Sequence, residues 1–566
     1  MEGNRNKLSV PFLIVKGGEP AASIVIRCGA DDKTVAAAND LQDIIFCMSG
    51  AKLPIKDDAF PVQGNKISVG ITGYSRSAGI NNEISEVKGE CVLLRRDGDI
   101  LFLIGNDSGI FTGTQFAVNM LLEHLGCGWY GPDELWQVIP EKKDISVGYM
   151  NIFHTPQFNS RYTRVAQFCP EVAMRWYSGG DKTYVEHAYG LLFPREQYFE
   201  EHPEWYCMHN GKRDPYNNKS PHLQSWQMCY SNDELAKETA ARVIKFFDEH
   251  PEHGSYSLAA NDGMYEGFCE CEKCAEMGTP GETMVRFVNK VAKITAEKYP
   301  DKTLYFFVYF PTFDPPTTKI KAEPNLQIMF CKESCMYHPV DEGPSCGYHE
   351  DYEFEFRYAK YPRPWRETFI KWIEMTDLKN ICIWEWYCPA ACVTSWKDLP
   401  WVQGDIATRN QRFWKENGAE FVYYDQGPNE WYNDPVESFP LRWPLWYVAA
   451  KGCWDGKLTG TDILSDACEK LYEQAADQML SYYLALADTG RKCYAKNIAW
   501  QSAEPYEFYT PEAIERVSNT LRHIEDYRGV VSEKAWLRIE NQASLWKRCI
   551  EAVEESKNGS EYRPIY

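Results

Sequence analysis

Hydrophobic and polar positions along the first part of the chain alternate between two periods. ASIVIR (Ala22–Arg27) and KISVGIT (Lys66–Thr72) read as strands, and between them Ala37, Leu41, Ile44, Ile45 and Met48 recur at helical spacing. ECVLLRRDGDILFLIG follows as a hairpin with Asp97-Gly98 at its turn, then a helix over Gly113–His124 with Gly126 as its C-terminal cap. Residues 1–150 are therefore predicted to form a small α/β domain, in which no cluster of catalytic residue types is visible.

From Phe158 the pattern becomes strand-like runs separated by longer, partly helical stretches. The strand candidates are FNSRYTRV, EWYCMH, LQSWQMCYS, SYSLAAND, TLYFFVYF, LQIMFC, NICIWEWY and EFVYYDQG. Between the fourth and fifth, Met284, Phe287, Val288, Val291 and Ile294 lie at helical spacing. Apolar strands alternating with helices imply a parallel sheet, and eight of them predict a (β/α)8 barrel over residues 151–455. After Trp454 the stripe Leu464, Ala467, Cys468, Leu471, Ala475 and Met479 predicts a helical domain over 456–566, with Thr510 as an N-cap and Pro511 at a first helical position. The expected fold class is thus α/β: a barrel flanked by a small α/β domain and a helical domain.

Active sites of such barrels lie at the C-terminal ends of the strands. Asn261-Asp262 closes the fourth strand, Tyr309 the fifth, Glu385 the seventh and Asp425 the eighth. One residue of an adjacent polar pair can hold a substrate amide while the other donates a proton to a leaving oxygen. That division suits hydrolysis of N-acetylhexosamines, in which the substrate's own acetamido oxygen acts as nucleophile. The alternative is an Asn-Asp-Gly turn leaving a strand. Glu385 and Asp425 are flanked by aromatic residues, including Trp384 and Trp386, which would desolvate a carboxyl and could wall a sugar subsite. Either carboxylate could equally be structural.

Composition narrows the partners. Of 566 residues, 60 are Lys or Arg and 81 Asp or Glu, a net charge of −21, with no basic cluster. Nucleic acid is excluded as a main partner and an anionic membrane disfavoured. The 19 Trp, 35 Tyr and 27 Phe either stack on sugar rings or build an aromatic-rich core. Twenty cysteines accompany an N-terminal stretch with no signal-length apolar segment, so the expectation is a cytoplasmic protein with mostly free thiols, or a secreted or periplasmic one if a leader has been trimmed. Cys269-x-Cys271-x-x-Cys274 offers three of the four thiolates of a structural zinc, with Cys229, Cys331 and Cys335 as candidates for the fourth; free thiols or a local disulfide are the alternative. No histidine stands out as partner to a nucleophilic cysteine. No cofactor for catalysis is expected.

LIGNDSGIFTGTQFAVNMLLEHLGCGWYGPDE resembles the end of the small domain that precedes the barrel in bacterial α-glucuronidases and β-hexosaminidases. HPEWYCMHNGKR, SLAANDGMYEGFCECEKC and PLRWPLWYVAAKGCWDG resemble glycoside hydrolase family 163, formerly an uncharacterised barrel family; the resemblance covers roughly residues 20 to 460. It implies a retaining endo-β-N-acetylglucosaminidase acting on N-glycans by substrate-assisted catalysis. Where related hexosaminidases place an Asp-Glu pair, this chain has Asn261-Asp262, so the resemblance implies an amide polariser and a shorter acid, with Glu385 or Asp425 as rivals for the acid. Another substrate-assisted barrel family does use Asn as polariser. Two other readings stand beside it. One is an inverting exo-glycosidase of α-glucuronidase type, whose uronate clamp would be Arg161. The other is a non-catalytic carbohydrate-binding protein on a degenerate barrel.

Overall fold

In the computed structural model of the chain the described residues are 10–180, 186–216, 226–262, 268–309, 312–332, 338–342, 354–356, 359–361, 363–379, 381–385, 399–400, 402–425, 435–492, 497–498, 501–502 and 505–558. The first sheet has six strands in the order Asn151–His154, Val92–Asp97, Ile100–Gly105, Asn65–Val69, Ala22–Ile26, Ile55–Asp57. Its middle strands are parallel and the Val92–Asp97 hairpin antiparallel, turning at Gly98, whose φ of 59° suits a residue without Cβ. Helix α1 (Asp32–Ser49) starts where the Asp31 carboxylate accepts the Thr34 N–H and ends at Gly50 with φ 79°. Its stripe of Ala37, Leu41, Ile45 and Met48 is buried, and α2 (Gly113–His124) packs beside it in the same core. The edge strand Asn151–His154 carries this sheet past residue 150.

The second sheet contains six strands, all parallel: β1 (Ser160–Thr163), β2 (Ser255–Ser257), β3 (Thr303–Val308), β4 (Leu326–Lys332), β5 (Ile381–Glu385) and β6 (Ala419–Tyr424), in the order β1-β6-β5-β4-β3-β2. Crossover helices separate them: α3 (Asp233–Glu249) before β2, α4 (Pro280–Ala296) before β3, α5 (Trp365–Thr376) before β5 and α6 (Ile406–Glu416) before β6. The sheet is curled. Phe307 of β3 meets Trp384 of β5 at 5.3 Å between ring centroids, across the intervening β4, although strands two places apart lie roughly 9–10 Å apart in a flat sheet. Trp384 in turn meets Tyr423 at 4.9 Å, and Tyr423 stacks on Tyr162 at 5.4 Å. An aromatic layer therefore lines the concave face.

Among the described residues, two of the eight expected strands do not join this sheet. EWYCMH enters through a 3-10 turn opened by Pro203, and its end pairs locally in the hairpin Met208–His209/Lys212–Arg213. Within LQSWQMCYS, Met228 makes a single antiparallel bridge to Tyr206. The backbone that runs beside the end of β2 is instead at His187, bridged in parallel to Ala259, in a stretch with no apolar alternation to announce it. The architecture among the described residues is thus mixed α/β with a curled, parallel half-barrel.

The C-terminal helices α7 (Pro435–Trp454), α8 (Gly460–Tyr472), α9 (Ala476–Arg491), α10 (Pro511–Thr520) and α11 (Glu533–Lys557) share the core of the second sheet. The stripe from Leu464 to Met479 is fully buried, split by a 3-10 turn at Glu473–Ala475, and Thr510 caps α10 with Pro511 behind it. Trp176, Trp365, Trp372, Trp414, Trp443 and Trp446 are all interior, so a large share of the aromatic excess is core. No helix among the described residues is long and apolar enough to cross a membrane.

A buried ion pair joins the two sheets. Arg161 of β1 donates to the Glu90 carboxylate, with side chains 2% and 0% exposed, and to the carbonyls of Tyr177 at 2.9 Å and Phe158 at 3.0 Å. Glu90 also accepts the Thr112 N–H at 2.9 Å. Removing one member of a desolvated pair leaves the other charge without compensation. Arg161→Met is therefore expected to lower stability by about 3–5 kcal/mol, read from chemical unfolding. Glu90→Gln combined with Arg161→Met should lose less than the sum of the two single changes; strict additivity contradicts the pairing.

Candidate active site

Successive side chains of a strand leave on opposite faces, so the aromatic layer identifies which residues reach the concave side. Asp425 lies two residues beyond Tyr423, on the same face and just past the end of β6. Its N–H donates to the Glu385 carbonyl at 3.0 Å, and its Oδ1 accepts from Arg164 Nη1 at 2.9 Å. Arg164 stands two residues beyond Tyr162 at the end of β1 and keeps part of its side chain exposed. Burial pushes the Asp425 carboxyl above its ordinary value of 3.8, with the charge and hydrogen bond of Arg164 acting against it. Sequence reasoning chose Arg161 and passed over Arg164. The signal that separates them is the position of Tyr162, because a residue two from it shares its face and a neighbour does not.

Arg161 therefore fails as a clamp for a substrate carboxylate: its guanidinium is buried against Glu90 on the other side of β1. Glu385 needs the same correction. Trp384 takes the concave face, so Glu385 points to the helical layer, where its Oε1 accepts from Trp414 Nε1 at 2.5 Å and Asn410 Nδ2 at 3.3 Å. Lys332 Nζ stands 3.7 Å from its other oxygen, both side chains fully buried. It is a buried carboxylate between sheet and helix. Tyr309 lies one residue past β3 on the side of Phe307 and is nearly buried, Trp384 is half-buried, and Trp386 lies outside the described residues.

Asn261 and Asp262 end the segment that continues β2. Asn261 is wholly buried; its Oδ1 accepts the Gly190 N–H at 2.7 Å and its Nδ2 donates to the Trp226 carbonyl at 2.8 Å. Gln227 grips the same residue's backbone, accepting its N–H at 3.2 Å and donating to its carbonyl at 2.7 Å. The amide expected to orient an acetamido group is instead bonded to backbone at both its oxygen and its nitrogen, and it fastens three chain segments together. Asp262 differs. It is half-buried, and its Oδ1 is shielded from solvent with no hydrogen-bond partner among the described residues.

His187, absent from the sequence-based candidates, adjoins this strand end. Its Nδ1 lies 2.5 Å from the Ala260 carbonyl, which can only accept, so Nδ1 carries the hydrogen of that bond and Nε2 is the nitrogen left for another partner. Its edge meets Phe307 of the aromatic layer at 5.2 Å. The sulfurs of Cys269, Cys271 and Cys274 gather with that of Cys229, all four within 4.8 Å of one another. Of the other two candidates for a fourth ligand, Cys331 is buried on β4, donating to the Met329 carbonyl, and Cys335 lies outside the described residues.

Residues 129–485 match the family described as Domain of unknown function (DUF4838). None of the curated proteins matches the sequence. Among solved structures, a family GH115 4-O-methyl-α-glucuronidase with specificity for decorated arabinogalactans is 13% identical, with a TM-score of 0.55 over 96% of this chain and 73% of that one, a likeness of fold. A Streptomyces plicatus β-hexosaminidase mutant in complex with GlcNAc is 11% identical (TM-score 0.41, 83% of this chain and 93% of that one). A Clostridium perfringens family 89 glycoside hydrolase in complex with 2-acetamido-1,2-dideoxynojirmycin is 9% identical (TM-score 0.44, 90% and 60%).

Because Asp425 is raised in the folded state, its contribution to stability is full below 3.8 and is lost as pH rises through the higher folded value. The stability of the wild type relative to Asp425→Asn is therefore expected to fall on going from acid to neutral pH. A difference in melting temperature that stays flat over that range contradicts the burial of this carboxyl.

Proposed function

The chain belongs to the DUF4838 family, and we propose that it is a glycoside hydrolase whose general acid is Asp262. The observation that carries this reading is the shielded oxygen of Asp262, without a hydrogen-bond partner among the described residues, where the chain runs on past the C-terminal end of β2; His187, bonded to the neighbouring Ala260 carbonyl, meets Phe307 of the aromatic concave face. Active sites of curled parallel sheets form at that end, and ring faces there suit the apolar sides of sugars. The fold likeness to a 4-O-methyl-α-glucuronidase supports the class by analogy. In this reading the His187 segment continues the curl beyond β2, toward the closed eight-stranded barrel.

The finer proposal is a retaining endo-β-N-acetylglucosaminidase on N-glycans, resembling glycoside hydrolase family 163. Asp262 protonates the glycosidic oxygen as that bond breaks. The substrate's acetamido oxygen attacks the anomeric carbon, and water later opens the cyclic intermediate with Asp262 now accepting the proton, so the β configuration is kept. Asn261 holds Asp262 in place through Gly190 and Trp226 rather than touching substrate. The acceptor for the acetamido N–H is His187 Nε2, whose tautomer the Ala260 carbonyl sets. Asp425, held by Arg164, lies on the face of Tyr423, and a two-carboxylate inverting mechanism would require it to activate water.

Asp262→Asn is expected to lower kcat by ~10²–10⁴-fold on substrates with poor leaving groups and by much less on nitrophenyl glycosides, whose leaving group hardly needs a proton. His187→Ala should lose activity whatever the leaving group. The product anomer, followed by NMR on labelled N-glycans and aryl N-acetylglucosaminides, should be β. If Asp425→Asn shows the leaving-group dependence and Asp262→Asn does not, the acid is misassigned. An inverted product rules out the substrate-assisted route, and sugar binding without turnover by the wild type returns the chain to the non-catalytic class.

A further inference from the structure

We propose that Cys229, Cys269, Cys271 and Cys274 hold one zinc ion as a closed four-thiolate site that staples the strand end bearing Asp262. The four sulfurs come from two separate stretches of chain. Cys229 follows Gln227, the residue that grips the Asn261 backbone, and the Cys-x-Cys-x-x-Cys run follows Asp262 and opens the short helix Glu272–Glu276. Cys229 Sγ stands 3.6 Å from Cys271 Sγ and 3.8 Å from Cys274 Sγ. A tetrahedral zinc with Zn–S bonds of about 2.3 Å sets its sulfurs about 3.8 Å apart. A disulfide would bring two of them to about 2.05 Å.

The surroundings suit thiolates. The Met208 N–H donates to Cys269 Sγ at 3.2 Å. The Ser231 hydroxyl lies 3.2 Å from Cys274 Sγ, 3.4 Å from Cys229 Sγ and 3.7 Å from Cys271 Sγ. The Arg213 guanidinium sits beside Cys229 and Cys271. Four thiolates around Zn²⁺ leave a net charge of −2, which this cation partly offsets, and N–H and O–H donors to sulfur are the outer layer that tunes such sites. A fifth thiol, Cys207, packs in the same cluster, but it is not one of the four sulfurs that lie within 4.8 Å of one another, and its Sγ–H donates to the Met228 carbonyl at 3.0 Å. With four sulfur ligands and no open position, the ion is structural. Its effect is to tie both flanks of Asn261-Asp262, the Gln227 side and the segment leaving Asp262, to one point.

The inference is independent of the glycosidase reading and is tested on the purified full chain by elemental analysis. The expected content is about one zinc per chain. Cys229→Ser and Cys274→Ser should lose it, while Cys207→Ser and Cys331→Ser retain it. Should the ligand variants not fold, protein produced with cobalt in place of zinc supplies the readout: sulfur-to-cobalt charge transfer in the near ultraviolet and intense visible bands of a tetrahedral ion. A chelator should lower the melting temperature. Metal-free protein whose four thiols titrate freely under native conditions overturns the proposal. So do a mass lowered by disulfide formation, iron in place of zinc, or zinc retained equally by Cys229→Ser and Cys274→Ser.

Discussion

Opposite-face alternation along each strand decides what the charged residues of the second sheet do. Once Tyr162, Trp384, Tyr423 and Phe307 occupy the concave side, their immediate neighbours must leave on the convex side, where there is no water. A charge sent there has to be met by another protein group. Glu385 finds Trp414, Asn410 and Lys332 against α6, and Arg161 finds Glu90 across the interface with the first sheet. Arg164, three residues on from Arg161, and Asp425, one past the Tyr424 that pairs with Glu385, reach the other side and meet each other at the rim. The parity of a position along its strand thus separates charges held between the layers from charges on the concave face.

The end of β2 solves a different problem. The regular strand stops at Ser257, yet the chain runs on for several buried residues, and every backbone group in that stretch needs a partner. Side chains supply several of them. Asn261 bonds the Gly190 N–H and the Trp226 carbonyl, Gln227 takes both backbone groups of Asn261, and Ser257 Oγ donates to the Glu186 carbonyl at 2.6 Å. The result is irregular backbone held by side-chain hydrogen bonds, ending at a carboxylate, Asp262, whose Oδ1 has no hydrogen-bond partner among the described residues.

Much of this was legible in the sequence. The helix Gly113–His124, the Asp97-Gly98 turn and the buried stripe from Leu464 to Met479 follow from local periodicity and capping, which depend on neighbours in the chain. Six strands of the second sheet were announced by apolar runs. The segment at His187 was not, because a strand that pairs by one bridge and carries His, Ala and Tyr has no period to detect. EWYCMH misled for the converse reason, since its alternation serves a local hairpin. The roles of Glu385 and Arg161 depend on which face of a strand is concave, a property of the curled sheet that no single strand encodes. Cys229 stands forty residues before Cys269, so its membership of the cluster is fixed only by tertiary approach.

The Glu90–Arg161 pair also bears on how separable the parts of this chain are. An architecture of a small sheet followed by a half-barrel invites treatment as two exchangeable modules. Here β1, the strand that begins the half-barrel, carries a desolvated cation whose counter-charge stands two residues ahead of the Val92–Asp97 strand of the other sheet. A half-barrel severed from the first sheet would expose or strand that cation, and a first sheet transplanted onto another barrel would bring a buried anion with nothing to meet it. The two sheets form one unit of inheritance: any recombination that keeps the fold must carry both members of the pair or replace both by apolar groups of matching volume.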